Sequence, residues 1–189
     1  MYTVERRHLQ KVVLFDANRV VDLLAQPAVC DYLAAMLASF TRIHSVTIPF
    51  RVRPGLWHQL RINDLDVDSL VRYAQLLDEG QRFGVYQRIA DACLFLTGIF
   101  PEYIEAHQRY PQSGEPRLRV KSSLLHSLED HEAYGRAFYH LAAKHPLARQ
   151  HALEGVLETL SEQFVLAEKP LTFVAERYLA LRKHHLFEL

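Results

Sequence analysis

Few residues of this chain combine the type and the surroundings that acid–base chemistry or ligand binding requires, and Asp91 comes first among them. It stands within Tyr86-Gln-Arg-Ile-Ala-Asp91-Ala-Cys-Leu-Phe-Leu-Thr-Gly98, where apolar residues fall on every side of a helix, the pattern of a buried central element. A carboxylate carried into such a place needs a partner, because burying it alone is costly. Arg88, Arg136 or a backbone amide is the partner expected. Beside an internal cavity its pKa would rise, and it would suit binding or proton transfer. In a second stretch Glu132, Arg136 and His140 follow at four-residue steps and share one helical face. If the two helices pack together, Tyr86, Asp91, Arg136 and His140 form a polar pocket for a small molecule, a haem or a metal. The plainer reading is a pair of core helices with an ordinary ion pair.

Other polar spacings carry less. His126, Glu129 and Glu132 recur at three-residue steps and make a candidate metal-ligating trio, although three polar groups on one helix also describe a solvated face. A di-iron bundle needs two Glu-x-x-His pairs on two helices, and only Glu5–His8 has that form. Ribonucleases of the helical HEPN type place arginine and histidine four to six residues apart on a helix. Arg177 and His184 have six residues between them, while Arg53 and His58 are separated across Pro54-Gly55, which no helix would span. Phosphate-cradling glycine loops, a dinucleotide turn and a nucleophile elbow are absent from the sequence, and His131-Glu132 lacks the second histidine of a zinc motif. The sequence names no cofactor, and the expectation leans away from an enzyme.

The elements that must position these residues read mostly as helices. The spacing predicts helices over Val12–Leu24 and Pro27–Phe40, the latter with Leu33, Met36, Leu37 and Phe40 on its inner face. Between His44 and Ile62 the period changes to two, with Val46, Ile48, Phe50 and Val52 alternating with polar residues, which predicts a hairpin or extended excursion. Helices follow from Asp66 or Asp68 to about Asp78, and from Phe83 to about Tyr110 with a kink at Pro101. A further helix opens at Ser122 or Ser123 and runs toward Ala143, another starts at Pro146, and a last one follows Lys169-Pro170. Short loops between helices favour antiparallel neighbours. The expected fold is therefore all-α, a helical bundle with a short extended or hairpin excursion near residues 45–60, in one domain over residues 1–189.

The chain holds 22 basic and 22 acidic residues, a formal net charge of zero. A non-specific grip on nucleic acid draws on a basic surplus, so a nucleic-acid partner is not expected; near-neutral charge leaves self-association open. Cys30 and Cys93 sit in apolar stretches without a C-x-x-C spacing and are expected to be reduced, packed hydrophobes. The first ten residues are charged rather than apolar, unlike a signal peptide, and no run reaches the ~18–20 apolar residues of a membrane span. A cytoplasmic, non-membrane protein is the expectation.

The run Asp91-x-x-Leu94-x-x-x-Gly98-x-Phe100-Pro-Glu102, then Tyr134-Gly-x-Ala-Phe-Tyr139 and a later Phe-x-x-x-x-x-x-Leu helix, resembles a family of uncharacterised bacterial proteins. The resemblance spans roughly residues 27–178. Ala90 and Ile99 stand where that family's signature has glycine and phenylalanine. It implies a bacterial origin and a helical fold and brings no activity with it.

Two functions follow as expectations. The first is a non-enzymatic interaction or regulatory module, oligomeric or part of a larger assembly, whose partner meets Phe50, Leu56 and Trp57 on the excursion, since an aromatic beside a sheet edge makes a good anchor. The second is a binding bundle that uses the pocket of Tyr86, Asp91, Arg136 and His140.

Overall fold

The computed structural model describes residues 17–41, 45–53, 56–102, 104 and 127–179, of which 45–53, 56–62 and 179 are described by backbone alone. Helix α1, Ala17–Leu24, meets α2, Pro27–Ser39, at 89°. The break falls at Gln26, which is extended (φ −82°, ψ 106°) because the following proline disfavours helical angles before it. The buried stripe of α2 is Val29, Tyr32, Leu33 and Met36, continued by Phe40, while Leu37 is only half-buried. Cys30 is exposed, against the packed position expected of it, and Cys93 is fully buried.

The predicted excursion is a two-stranded antiparallel hairpin, β1 (Ser45–Arg53) with β2 (Leu56–Asn63). Ser45 lies opposite Asn63, Phe50 opposite His58 and Arg51 opposite Trp57, with an irregularity between Arg51 and Arg53. Helix α3, Val67–Leu76, starts at Asp66, whose side chain accepts from the Ser69 amide at 3.1 Å. This is the carboxylate cap expected of a helix start.

Helix α4, Phe83–Ile99, is the axis of the molecule. Ile89, Ala90, Ala92, Cys93, Leu94 and Ile99 are completely buried, as its all-round apolar pattern required. It is interrupted at Phe100 (φ −129°, ψ 47°), where the restriction that proline places on its predecessor breaks the helix at the expected place. Pro101, Glu102 and Ile104 are helical again, and Tyr110 lies outside the described residues. Helix α5, Leu128–Lys144, opens on a capping box in which Ser127 and Asp130 bond each other's amides at 3.0 and 2.9 Å. Ser122 and Ser123, the predicted openers, lie outside the described residues.

The two helices predicted from Pro146 onward are three. These are α6 (Pro146–Gln150), α7 (Glu154–Glu162) and α8 (Phe164–Val174), the last running into a π-helical turn over Ala175–Leu179. Between α6 and α7 Ala152 takes a left-handed conformation (φ 55°), which no continuous right-handed helix can include. Pro170 lies inside α8 and does not start a helix. The bond it cannot donate is offset by burial of Leu166, Ala167 and Leu171 around it.

Helix α4 packs against α5, α8 and α3, and α7 closes against α5 and α2. Two glycines set the closest approaches. A Cβ on Gly135 would stand 2.3 Å from the Phe164 ring, and one on Gly98 2.7 Å from Leu171 Cβ. Among the described residues no single helix is long and apolar enough to cross a membrane.

Candidate functional site

Asp91 is 7% exposed and forms the polar centre of the bundle. Three helices converge on it. Tyr32 of α2 and Tyr139 of α5 both donate their hydroxyls to its Oδ1 at 2.8 Å, and Gln87 Nε2, one turn earlier on α4, donates to the Tyr32 oxygen at 3.0 Å. The tyrosine rings meet edge to face at 6.3 Å between centroids, a geometry that aromatic pairs prefer. No protein group among the described residues donates to Asp91 Oδ2.

Burial raises the carboxyl pKa of Asp91 from 3.8 to about 6, against the opposing pull of the Tyr32 and Tyr139 hydrogen bonds and the Arg88 charge. Burial and the neighbouring carboxylate raise both tyrosine hydroxyls and the Cys93 thiol, so all three stay protonated while Asp91 titrates.

Arg88 is not the ion-pair partner expected for Asp91. Its two terminal nitrogens reach Asp64 Oδ2 and Ser39 Oγ, each at 2.8 Å, and its guanidinium lies 3.8 Å above the Phe40 ring. Arginine stacks well on aromatic faces, so this contact fixes the cation beside the carboxylate without neutralising it directly.

The predicted pocket is corrected in three of its four members. The buried face of α5 is His131, Gly135, Tyr139, Ala142 and Ala143, a 3.6-residue stripe. Arg136 and His140 each lie one position past it and are exposed. Tyr139, next to His140 in sequence, takes the place at Asp91. Tyr86 is half-buried against Phe138, 5.5 Å between ring centroids. Sequence reasoning missed Tyr32, Gln87 and Tyr139. The signals were present: Tyr32 shares the α2 stripe with Val29 and Met36, and Tyr139 follows Gly135 by one turn, on the side where a glycine admits a close neighbour.

For the metal trio, Glu129 is exposed, Glu132 is half-buried and His126 lies outside the described residues. Among the described residues no group of three or more His, Cys, Asp or Glu side chains could hold a metal ion. Arg177 is exposed, and His184 lies outside the described residues. The side chains of Phe50, Leu56 and Trp57 also lie outside them, although the backbone places all three in the hairpin.

A cleft of about 360 Å³ opens beside Asp91, between Tyr32 and Met36 of α2, Gln87, Arg88 and Asp91 of α4, and Leu153 before α7. A second depression of about 420 Å³ lies around α6. Arg149 and Glu154 in its lining are already paired at 2.9 Å, and the buried His145 has both ring nitrogens engaged, by the Glu79 carbonyl at 3.0 Å and the Leu147 amide at 3.2 Å. A second buried carboxyl, Glu168 of α8, has its Oε1 without a hydrogen-bond partner. Burial raises its pKa from 4.5 to about 7, with a Thr97 hydrogen bond opposing, Glu132 adding and Arg136 opposing. It lines neither cleft.

Set against protein-family models, curated proteins and solved structures, the chain matches none. The site must therefore be read from its own atoms. A carboxylate with one oxygen saturated and the other beside a cleft can accept a ligand's hydrogen bond, or exchange a proton near pH 6.

Proposed function

We propose that this protein is a non-enzymatic small-molecule-binding helical bundle that receives its ligand in the cleft at Asp91. One observation carries the reading: Asp91 lines the cleft while its Oδ2 accepts from no protein group among the described residues. Oδ2 is open to the cleft rather than sealed in the core, where the buried side-chain atom without a partner among the described residues is Glu168 Oε1. A concave site with a few placed polar atoms is the usual form of a ligand pocket. The resemblance to the bacterial family is compatible with this proposal, since Asp91, Leu94, Gly98, Gly135 and Tyr139, which carry it, pack the site and its supporting helices.

Native mass spectrometry of freshly purified protein, followed by the denatured mass, tests the reading. The expected result is a mass added to the 21.9 kDa chain that disappears on denaturation, is missing from Asp91→Asn and persists in Trp57→Ala. Added mass that survives Asp91→Asn would remove the cleft from the reading.

A second reading, an interaction module, has one observation in its favour. The hairpin is a two-stranded sheet, so each strand has an outer edge with no partner among the described residues, and open edges accept added strands. Clean multiples of the chain mass, lost in Trp57→Ala, would favour it.

A further inference from the structure

The direction of each hydrogen bond around the cleft narrows the ligand's chemistry, on the condition that the cleft at Asp91 is the binding site. The Tyr32 hydroxyl gives its proton to Asp91 Oδ1 at 2.8 Å, and its oxygen accepts from Gln87 Nε2 at 3.0 Å. Ser39 Oγ gives its proton to the Met36 carbonyl at 2.7 Å and accepts from Arg88 at 2.8 Å. Both hydroxyls on the cleft wall are therefore spent as donors. The Arg88 charge is balanced by Asp64 at 2.8 Å. Two side-chain acceptors on the cleft wall have no donor among the described residues, Asp91 Oδ2 and Gln87 Oε1, one helical turn apart on α4 and so on the same face. With Arg88 and Asp64 cancelling, the uncompensated charge at the cleft is that of Asp91. Apolar wall is supplied by Ala35, Met36 and Leu153.

We propose that the cleft binds a small organic ammonium ion, its N–H groups donating to Asp91 Oδ2 and Gln87 Oε1 and its hydrocarbon part lying against Met36 and Leu153. An anion would meet the unbalanced carboxylate. A ligand with acceptors alone would find the Tyr32 and Ser39 protons already committed. It could draw only on the second Gln87 Nε2 proton and the Arg88 N–H groups that Ser39 and Asp64 leave over, with the Asp91 charge beside them. The groups that bear on Asp91 are Tyr32 from α2, Tyr139 from α5, and Arg88 and Cys93 from α4. Both tyrosines and the thiol are held protonated and arginine stays charged, so the carboxyl is the group whose titration binding would follow.

Met36 provides the reporter, because the chain has only two methionines and the other is Met1. Protein labelled with ¹³C-methyl methionine is titrated with benzylamine, benzyl alcohol and benzoate at about pH 7.5, where Asp91 is ionised. Benzylamine is expected to move the Met36 signal saturably, benzyl alcohol to bind about tenfold more weakly or worse, and benzoate to leave the signal in place. Asp91→Asn is expected to bring benzylamine down to the level of the alcohol. Gln87→Met, which leaves the Tyr32–Asp91 bond intact, is expected to weaken it several-fold. At about pH 5 the amine is expected to bind about tenfold more weakly, as Asp91 takes up its proton. Alcohol or benzoate binding as tightly as the amine would overturn the ammonium proposal and leave the cleft reading standing. Amine binding indifferent to both substitutions and to pH would move the site away from Asp91. If none of the three probes shifts Met36, the cleft reading and the ammonium proposal fall together.

Discussion

Asp91 shows how one buried residue can tie elements together while remaining chemically open. Two tyrosine hydroxyls on one carboxylate oxygen, each at 2.8 Å, join α2 and α5 to α4 through charge-assisted hydrogen bonds, which are roughly twice as strong as neutral ones. The two donors differ in what else they hold. Tyr139 is completely buried, whereas Tyr32 is 9% exposed and borders the cleft, where water can replace a lost partner. Tyr139→Phe is therefore expected to cost about 1–3 kcal/mol in urea unfolding near pH 7, and more than Tyr32→Phe. Equal costs would mean that water reaches both sides of the carboxylate alike. At this scale the sequence was half legible. The apolar run around Asp91 marked its burial, yet the choice between His140 and Tyr139 depended on a helix rotation of one residue, about 100°.

At the scale of the elements, two helix crossings rest on missing methyl groups. A Cβ on Gly135 would lie 2.3 Å from two carbons of the fully buried Phe164 ring, and one on Gly98 would lie 2.7 Å from Leu171 Cβ, an atom held by its own backbone. Neither neighbour can swing away as a flexible tip would. Gly135→Ala and Gly98→Ala are each expected to lower stability by about 1–3 kcal/mol or more. Gly155 lies in α7 with nothing within 4 Å of its Cβ position. The same substitution there is expected to raise stability by about 0.4–1 kcal/mol, because alanine is the better helix former and restricts the unfolded chain. Thermal or urea unfolding of the three variants checks the signs, and a stable Gly135→Ala protein would show that α5 and α8 are less tightly apposed. Periodicity alone placed α2, α3, α4 and the hairpin. It failed after Pro146, because the spacing of apolar residues does not record the left-handed backbone at Ala152 that separates α6 from α7.

Across the whole molecule, two buried carboxyls give stability a pH dependence. Asp91 rises from 3.8 to about 6 and Glu168 from 4.5 to about 7. A carboxyl whose pKa is higher in the folded state binds its proton more tightly there. Its contribution is full below the unfolded pKa and is lost as pH rises through the folded one. His131 acts in the opposite sense, since burial lowers its pKa and stability is lost as pH falls. Comparing each variant with the parent at the same pH separates these effects. From about pH 4 to pH 7 the stability of Asp91→Asn is expected to gain about 2 kcal/mol relative to the parent, and Glu168→Gln a similar amount over a slightly higher window. Differences that stay constant across the range would show that neither carboxyl titrates between those limits.

By itself, the sequence determined the helical class, the hairpin between residues 45 and 63, the central position of α4 and the burial of Asp91. Each of these is written in local periodicity, in which an apolar residue every two or every 3.6 positions decides the element and the face it buries. Tertiary structure alone decided which side chains meet Asp91. Tyr32 and Tyr139 lie 59 and 48 positions away from it, and no local pattern records a contact over that distance. Their meeting follows from the crossings of α2 and α5 on α4, with Gly135 allowing α5 to stand close to Phe164 and Cys93. Only that packing turns an isolated buried carboxylate into a hydrogen-bonded site beside a cleft.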